Sequence, residues 1–296
     1  MIIDWKDSDN NKIEQFKECF TKTGFVRLYN LWSSDELKDI NNWFDSVKYW
    51  FLNEPNKQKY KAKEDFREGW AEIEKMFTNP RAKNDYKETF EIDHFDEFDW
   101  MPPSLASSLK VSHPLFREKS LEIVKLFDLM LETQDNLLYN LFSDPNLHHL
   151  RLAYYPGSDN KPSQLPCGAH KDYNSITLLF SPDENKRLQI KNREGQWFDS
   201  PYLDNSGVIN IGNCLQVWSQ DYLHSAFHRV LFNSKDSFTT AYFLELPDDL
   251  KLDLIGTNVK KYPTTTVKDF KNKFNISKQV IRERTYFKRK YNDELV

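Results

Sequence analysis

The sequence predicts a mainly β protein with flanking helices, in which a largely helical N-terminal region precedes a sandwich or barrel-like β region. Three observations carry this. Short runs of β-forming residues separated by turns follow one another from Leu150 to Leu244. The chain before them instead places apolar residues at helical spacing. Aromatic residues make up 15% of the sequence while glycine contributes only 8 residues, so rings must furnish much of the buried area.

Taken in order, Asn11 to Thr23 carries Ile13, Phe16, Cys19 and Phe20 on one helical face, and Gly24 is a plausible stop. Phe25–Tyr29 reads as a short strand. Ser33-Ser34-Asp35-Glu36 supplies a hydroxyl cap and first-turn acid for a helix running towards Trp50. From about Asn53 to Pro103 the chain is loop-rich, with an isolated strand or two. A helix is expected from His113-Pro114 through Leu141, with Leu121, Val124, Phe127, Leu131 and Leu138 inward. The strand candidates are Leu150–Tyr155, Ser175–Phe180, Leu188–Asn192, Gly207–Ile211, Leu215–Trp218, His228–Asn233 and Phe238–Leu244. After Pro247 a loop leads to a final helix near Ser277–Tyr291. Helices need a sheet to cover, so the chain reads as one unit: a helical region over 1–149, a β core over 150–247 and a tail over 248–296.

The composition excludes several classes. Net charge is -4 over 296 residues, so no basic footprint for nucleic acid is expected. The basic stretch from Arg282 to Lys290 is interrupted by Glu283, Thr285, Tyr286 and Phe287 and reads as a solvated helix face. Cys19, Cys167 and Cys214 form no CxxC pair and are odd in number, which argues against a disulfide framework or a zinc–thiolate site and suits the cytoplasm. No apolar run is long enough for a membrane span, and the acidic start Met1-Ile2-Ile3-Asp4 does not resemble a signal peptide.

One constellation carries chemistry. In Gly168-Ala169-His170-Lys171-Asp172, an imidazole and a carboxylate two residues apart on extended chain point to one side and can share a metal. A distal histidine would complete a two-His, one-carboxylate facial triad, which leaves coordination positions open as Fe(II) oxygen chemistry requires. Two histidines compete for that place: His228, in the apolar run Phe227–Phe232, and His224, in the preceding turn. A strand is the stiffer platform and favours His228. His94, His113, His148 and His149 read as structural.

The stretch Arg151 to Phe243 resembles the iron(II)/2-oxoglutarate oxygenases of the isopenicillin N synthase-like family. The resemblance lies in Arg151-Leu152-Ala153-Tyr154-Tyr155-Pro156, in Gly168–Leu179 with its His170 and Asp172, and in Leu188-Gln189-Ile190 with Gly195-Gln196-Trp197. It continues in Val208–Ser219 and in His228-Arg229-Val230. Gly24-Phe25 and Lys87-Glu88-Thr89-Phe90 are fainter echoes upstream. The resemblance implies a double-stranded β-helix (jelly-roll, cupin-like) core and a triad of His170, Asp172 and His228. It also implies Fe(II), 2-oxoglutarate and O2 as reactants, and hydroxylation, desaturation or ring closure of a small molecule.

The pattern also breaks. The family holds the distal carboxylate of 2-oxoglutarate with Arg-x-Ser on the strand after His-Arg-Val. Counting back from Tyr242-Phe243, Ser237 stands where that arginine is expected and Thr239 where the serine is. A second register aligns Lys235-Asp236-Ser237 instead. Tyr155 matches a co-substrate contact, Ala153 replaces a common Asn, and Lys235 and Arg151 are candidate replacement cations. The missing arginine leaves room for an oxidase of the same fold that does not use 2-oxoglutarate, and a non-catalytic binding descendant is a further alternative. The intact Asp172 argues against a halogenase. Trp70, Phe90, Phe95, Trp100 and Tyr173 are candidate pocket aromatics.

Overall fold

The computed structural model describes residues 2–62, 67–76, 78, 83–158, 164–182 and 187–273. The chain begins with β1 (Ile2–Asp4), α1 (Asp9–Lys22), β2 (Phe25–Tyr29) and α2 (Ser34–Asn53), followed by the short strands β3 (Gly69–Ala71) and β4 (Glu88–Ile92). Two helices, α3 (Pro103–Met130) and α4 (Leu137–Phe142), lead into β5 (His148–Tyr155), β6 (Cys167–His170), β7 (Ile176–Phe180), β8 (Leu188–Lys191), β9 (Trp197–Asp199) and β10 (Ser206–Ile211). Helix α5 (Asn213–Trp218), β11 (His228–Val230), β12 (Ser237–Leu244) and the small pair β13 (Lys251–Leu252) and β14 (Thr265–Thr266) complete it.

The strands form an eight-stranded sheet ordered β1-β2-β10-β7-β12-β5-β4-β3 and a four-stranded sheet ordered β6-β11-β8-β9. Strand alternation gives the large sheet two unlike faces. One is apolar: Leu150, Leu152, Ile176, Leu178, Phe180, Ile209, Ile211, Tyr242 and Leu244 are all buried there. It packs against the helices through ring contacts such as Phe116–Phe180 at 5.1 Å and Trp50–Phe90 at 4.8 Å. Polar groups within it are paired: Thr240 accepts the indole N–H of Trp43 at 2.9 Å, and His148 Nδ1 lies 2.7 Å from the Tyr242 hydroxyl. The opposite face carries Arg151, Ala153 and Tyr155 of β5 and Ser237, Thr239, Ala241 and Phe243 of β12, with Thr177 and Asn210 alongside. Small apolar clusters join it to the small sheet: Phe25, Val208, Leu188, Ile190 and Ala226 in one, Ala153, Tyr155, Cys167 and Val230 in the other. This two-sheet sandwich with helices on its outer face is the jelly roll the resemblance implied.

Helix α2 starts as its sequence dictates. Ser33 accepts the Glu36 N–H, and the Glu36 carboxylate accepts the Ser33 N–H in return. Gly24 ends the first helical unit at φ +71, where a Cβ would lie 1.9 Å from the His224 carbonyl oxygen.

Three expectations need correction. The helix expected from His113 begins ten residues earlier, at Pro103, and passes through Pro114. Pro114 and Lys110, whose carbonyl the proline cannot serve, are both exposed, so the lost bond falls on the solvent side of the helix. The same helix stops at Met130 rather than running to Leu141, because Glu132, Asp135 and Asn136 have positive φ and buried Asp128 accepts the Leu138 and Tyr139 N–H groups, starting α4. Finally, Leu215–Trp218 is helical, not a strand: Cys214, Leu215 and Trp218 bury one side of α5. The helix expected near Ser277–Tyr291 lies outside the described residues. Among the described residues no helix is long and apolar enough to cross a membrane.

Candidate metal centre

The facing sheets bring His170, Asp172 and His228 together. His170 closes β6, His228 opens β11, and the two are Cα partners across an antiparallel pair. Asp172 follows two residues after His170, where the chain turns into β7. One ligand atom from each residue lies within 4.8 Å of the others. Asp172 Oδ1 is 3.5 Å from His170 Nε2 and 3.7 Å from His228 Nε2.

Backbone carbonyls orient both rings. His170 Nδ1 lies 2.8 Å from the Gly168 oxygen, and His228 Nδ1 lies 3.3 Å from that of Ala226. A proton held at Nδ1 by a carbonyl leaves the Nε2 lone pair directed at the carboxylate, the tautomer a metal ligand needs. Phe25 backs the His228 ring edge-on at 5.2 Å. Asp172 is fixed from its other oxygen: Oδ2 accepts Thr177 Oγ1 and Asn210 Nδ2, each at 2.8 Å.

The titration behaviour follows from this crowding. Burial opposes a charge on Asp172, but His228, His170 and the Asn210 amide hold its carboxyl well below the usual range. Burial and the neighbouring His170 push His228 down to about 4. Burial also opposes a proton on His170, yet Cys167 and Asp172 raise it to about 10. Two imidazole nitrogens and one carboxylate oxygen, each with an outer partner, fit Fe(II).

The other candidate residues separate into groups. Tyr155 and Ser237 are Cα partners, as are Ala153 and Thr239, and all four side chains are buried between the sheets. The Tyr155 phenol, engaged with Thr239, is pushed up to about 12 by burial and stays protonated. Lys235, by contrast, is exposed on the loop before β12, so the expectation that its stem reaches inward fails. Arg151 faces inward, but its Nε donates to Glu91 at 2.6 Å and its guanidinium lies over the Phe243 ring. His224 stays in its turn, donating its backbone N–H to Phe20.

Among the aromatics, Trp70 and Phe90 are buried in the helix-side core, Phe90 stacks on Trp100, and Phe95 stacks on His113. Tyr173 alone of the five stands at the site's rim, where its hydroxyl is 3.5 Å from Glu245.

Sequence reasoning missed the partners of Asp172 and a charged network beside it. Thr177 and Asn210 could have been found from strand alternation. The network links Arg67 to Asp93 and Glu245, and His149 to Glu91 and Asp93, and it depends on pairing across strands far apart in sequence.

The sequence profile of the 2OG-Fe(II) oxygenase superfamily matches residues 146–245, the segment that holds all three triad residues. Over this segment the chain is similar to that superfamily. The isopenicillin N synthase-like resemblance is consistent with that. The superfamily's enzymes are oxidoreductases that use Fe(II), 2-oxoglutarate and O2.

Among its relatives, homoarginine-6-hydroxylase 2-ODD-C23 of Glycine max is 29% identical over 164 residues, covering 53% of this chain and 50% of that protein. The chain thus spans half the length of that relative. The 1-aminocyclopropane-1-carboxylate oxidase homolog 3 of Arabidopsis thaliana is 27% identical over 292 residues, covering 90% of this chain and 74% of its own. In fold, the chain resembles a full-length Neurospora crassa protein solved in complex with alpha-KG, with a TM-score of 0.74 at 23% identity over 96% of this chain and 95% of that one. JOX2 in complex with 2OG, Fe and JA gives a TM-score of 0.77 at 21% identity, covering 95% of this chain and 84% of that one.

Proposed function

We propose that this protein is an Fe(II)- and 2-oxoglutarate-dependent oxygenase of a small molecule, with His170, Asp172 and His228 as the metal ligands. The observation that carries the reading is the triad itself: three inward ligand atoms within 4.8 Å, each ligand held by a second partner. Bound there, Fe(II) supplies a place for the 2-oxo acid and O2 to react and oxidise a C–H bond, leaving succinate and CO2. The protein's own part is placement. Thr177 and Asn210 keep Asp172 ionised and turned inward, and the carbonyls of Gly168 and Ala226 keep both imidazoles in the binding tautomer. Tyr155 and Thr239 present hydroxyls on the inner face for the co-substrate.

The substrate would enter at the partly open rim near Tyr173, Arg151 and Phe243. We read the whole chain as one oxygenase unit, since β1–β4 of its first part complete the large sheet. The three free, buried cysteines support a cytoplasmic setting.

The test is anaerobic addition of 2-oxoglutarate to the Fe(II)-loaded protein, read by the visible metal-to-ligand charge-transfer band. The band should appear in the wild type and vanish in His228→Ala. Ser237 at the arginine position favours a second reading, an oxidase independent of 2-oxoglutarate. Iron binding without a band at millimolar 2-oxoglutarate would select it.

A further inference from the structure

A 2-oxo diacid needs a cation at its far end, and β12 carries none on its inner face: Ser237, Thr239, Ala241 and Phe243 are neutral. The Ser237 hydroxyl is the notable residue there. Ser237 is 3% exposed, and its Oγ has no hydrogen-bond partner among the described residues. A buried hydroxyl without a partner is costly enough that a ligand or water is expected to meet it. Its strand partner Tyr155 presents a phenol on the same face.

A cation does reach this end of the inter-sheet space, from another strand. Lys87 immediately precedes β4 and shares the inner face with Thr89 and Glu91 by alternation. Its side chain is 3% exposed, and its Nζ lies 3.2 Å from Asp85 Oδ2 and 3.3 Å from Cys167 Sγ. Cys167 packs in the same small cluster as Tyr155 and Ala153. The ammonium is close enough to act electrostatically on the Tyr155 phenol.

An ammonium has three donors. Here the ammonium is ion-paired with a carboxylate whose Oδ2 it does not hydrogen-bond, and one donor meets sulfur, a weak acceptor. Asp85 is itself shared, since its Oδ1 also accepts the Gly168 N–H and the Thr78 hydroxyl, each at 3.0 Å. That arrangement fixes the ammonium in place and leaves it donor capacity.

We propose that Lys87 receives the distal carboxylate of 2-oxoglutarate, with the Ser237 hydroxyl and the Tyr155 phenol completing the cradle. The cation is thus supplied from β4's side of β5 instead of from β12. Lys235 is exposed, and Arg151 is held by Glu91. Arg187 donates to the backbone carbonyls of Tyr155 and Lys235, bracing the frame that carries the Tyr155–Ser237 pair. The inference rests on the oxygenase reading above and adds the residue that reads the co-substrate's length and charge.

The experiment compares 2-oxoglutarate with 2-oxopentanoate, the five-carbon 2-oxo acid lacking the distal carboxylate. Both are titrated anaerobically into Fe(II)-loaded protein, with the charge-transfer band as readout. The wild type should prefer 2-oxoglutarate strongly. Lys87→Met should weaken 2-oxoglutarate roughly 30-fold or more, as removal of one partner of a buried charge pair does, and leave 2-oxopentanoate within about threefold. Ser237→Ala should weaken 2-oxoglutarate by about 3- to 10-fold. Lys87→Met strands Asp85, so Lys87→Met/Asp85→Asn is the control that keeps the site neutral, and it should show the same collapse of preference.

A preference kept in the double variant overturns the inference, and so does an equal loss of both ligands, which marks a structural role. Collapse in Arg187→Met but not in the Lys87 variants assigns the carboxylate elsewhere. A wild type with no band for either acid sinks the oxygenase reading itself, whereas a wild-type band unmoved by the Lys87 variants sinks only this inference.

Discussion

Asn210→Ala probes the centre without touching a ligand. The Asn210 amide and the Thr177 hydroxyl each donate at 2.8 Å to Asp172 Oδ2, the oxygen turned away from the histidines. A hydrogen bond to a charged acceptor is worth about 1.5–3 kcal/mol, which converts to roughly 10- to 100-fold in a binding constant. Loss of an outer-shell partner of a metal ligand typically costs the same 10- to 100-fold, so the two routes agree.

Asp172 is held below its ordinary value, in part by this amide. Its folded pKa is depressed, so removing the donor raises it, but from so low a value that the carboxylate stays ionised near neutral pH. Fe(II) or Co(II) affinity of Asn210→Ala, measured anaerobically by competition with a chelator, should therefore drop about 10- to 100-fold, and by the same factor at pH 6 and pH 8. A folded Asn210→Ala protein that binds metal within threefold of wild type at both pH values would refute the idea that this amide sets the carboxylate.

Four further outcomes follow from other parts of the molecule. Asp172→Ala and His228→Ala should abolish tight metal binding while His224→Ala retains it, read as metal content after gel filtration. Thr240→Val removes the acceptor of the buried Trp43 N–H and should destabilise the fold by about 1–3 kcal/mol in urea. Gly24→Ala sets a Cβ 1.9 Å from the His224 carbonyl at a positive φ, so it should cost at least about 1–2 kcal/mol and lower the melting temperature. His149 is buried between Glu91 and Asp93, which outweigh desolvation and raise its pKa. Its stabilisation is present in full below the unfolded value of about 6.5 and is lost as pH rises through the higher folded value. Wild type should thus lose more stability than His149→Gln on going from pH 6 to alkaline pH.

What the sequence revealed followed the range of each interaction. Strands such as Ile176–Phe180 and Ser206–Ile211 declare themselves by local composition, and the Ser33–Glu36 capping box is complete within four residues. His170 and Asp172 are legible because their spacing alone puts them on one side of extended chain. The distal histidine needed the strand that bears it. Long-range choices were less visible. Pro114 looks like a helix start, and only its solvent-facing position explains why the helix runs through it. Asp128 capping Leu138 and Tyr139 across ten residues leaves no short motif. Gly212-Asn213 before a run of apolar residues reads equally as a strand or a short helix, and the burial of Trp218 beside Leu215 decides it.

Lys87 shows the limit of motif reading. As part of Lys-Glu-Thr-Phe it is a family echo, and nothing in that run reveals where its ammonium goes. The structure adds that the inner face of the large sheet is polar and nearly self-satisfied. Thr177 and Asn210 are committed to Asp172, and Arg151 to Glu91. A polar face between two sheets is stable only when its groups are paired, because each unpaired one forfeits its hydration. The Ser237 hydroxyl departs from that rule at the position where the resemblance expects an arginine. If the site had drifted into a plain core, an apolar residue there would be more stable than an unpaired hydroxyl. A small polar residue beside a buried ammonium leaves space and polarity together, which is what the far end of a dicarboxylate requires.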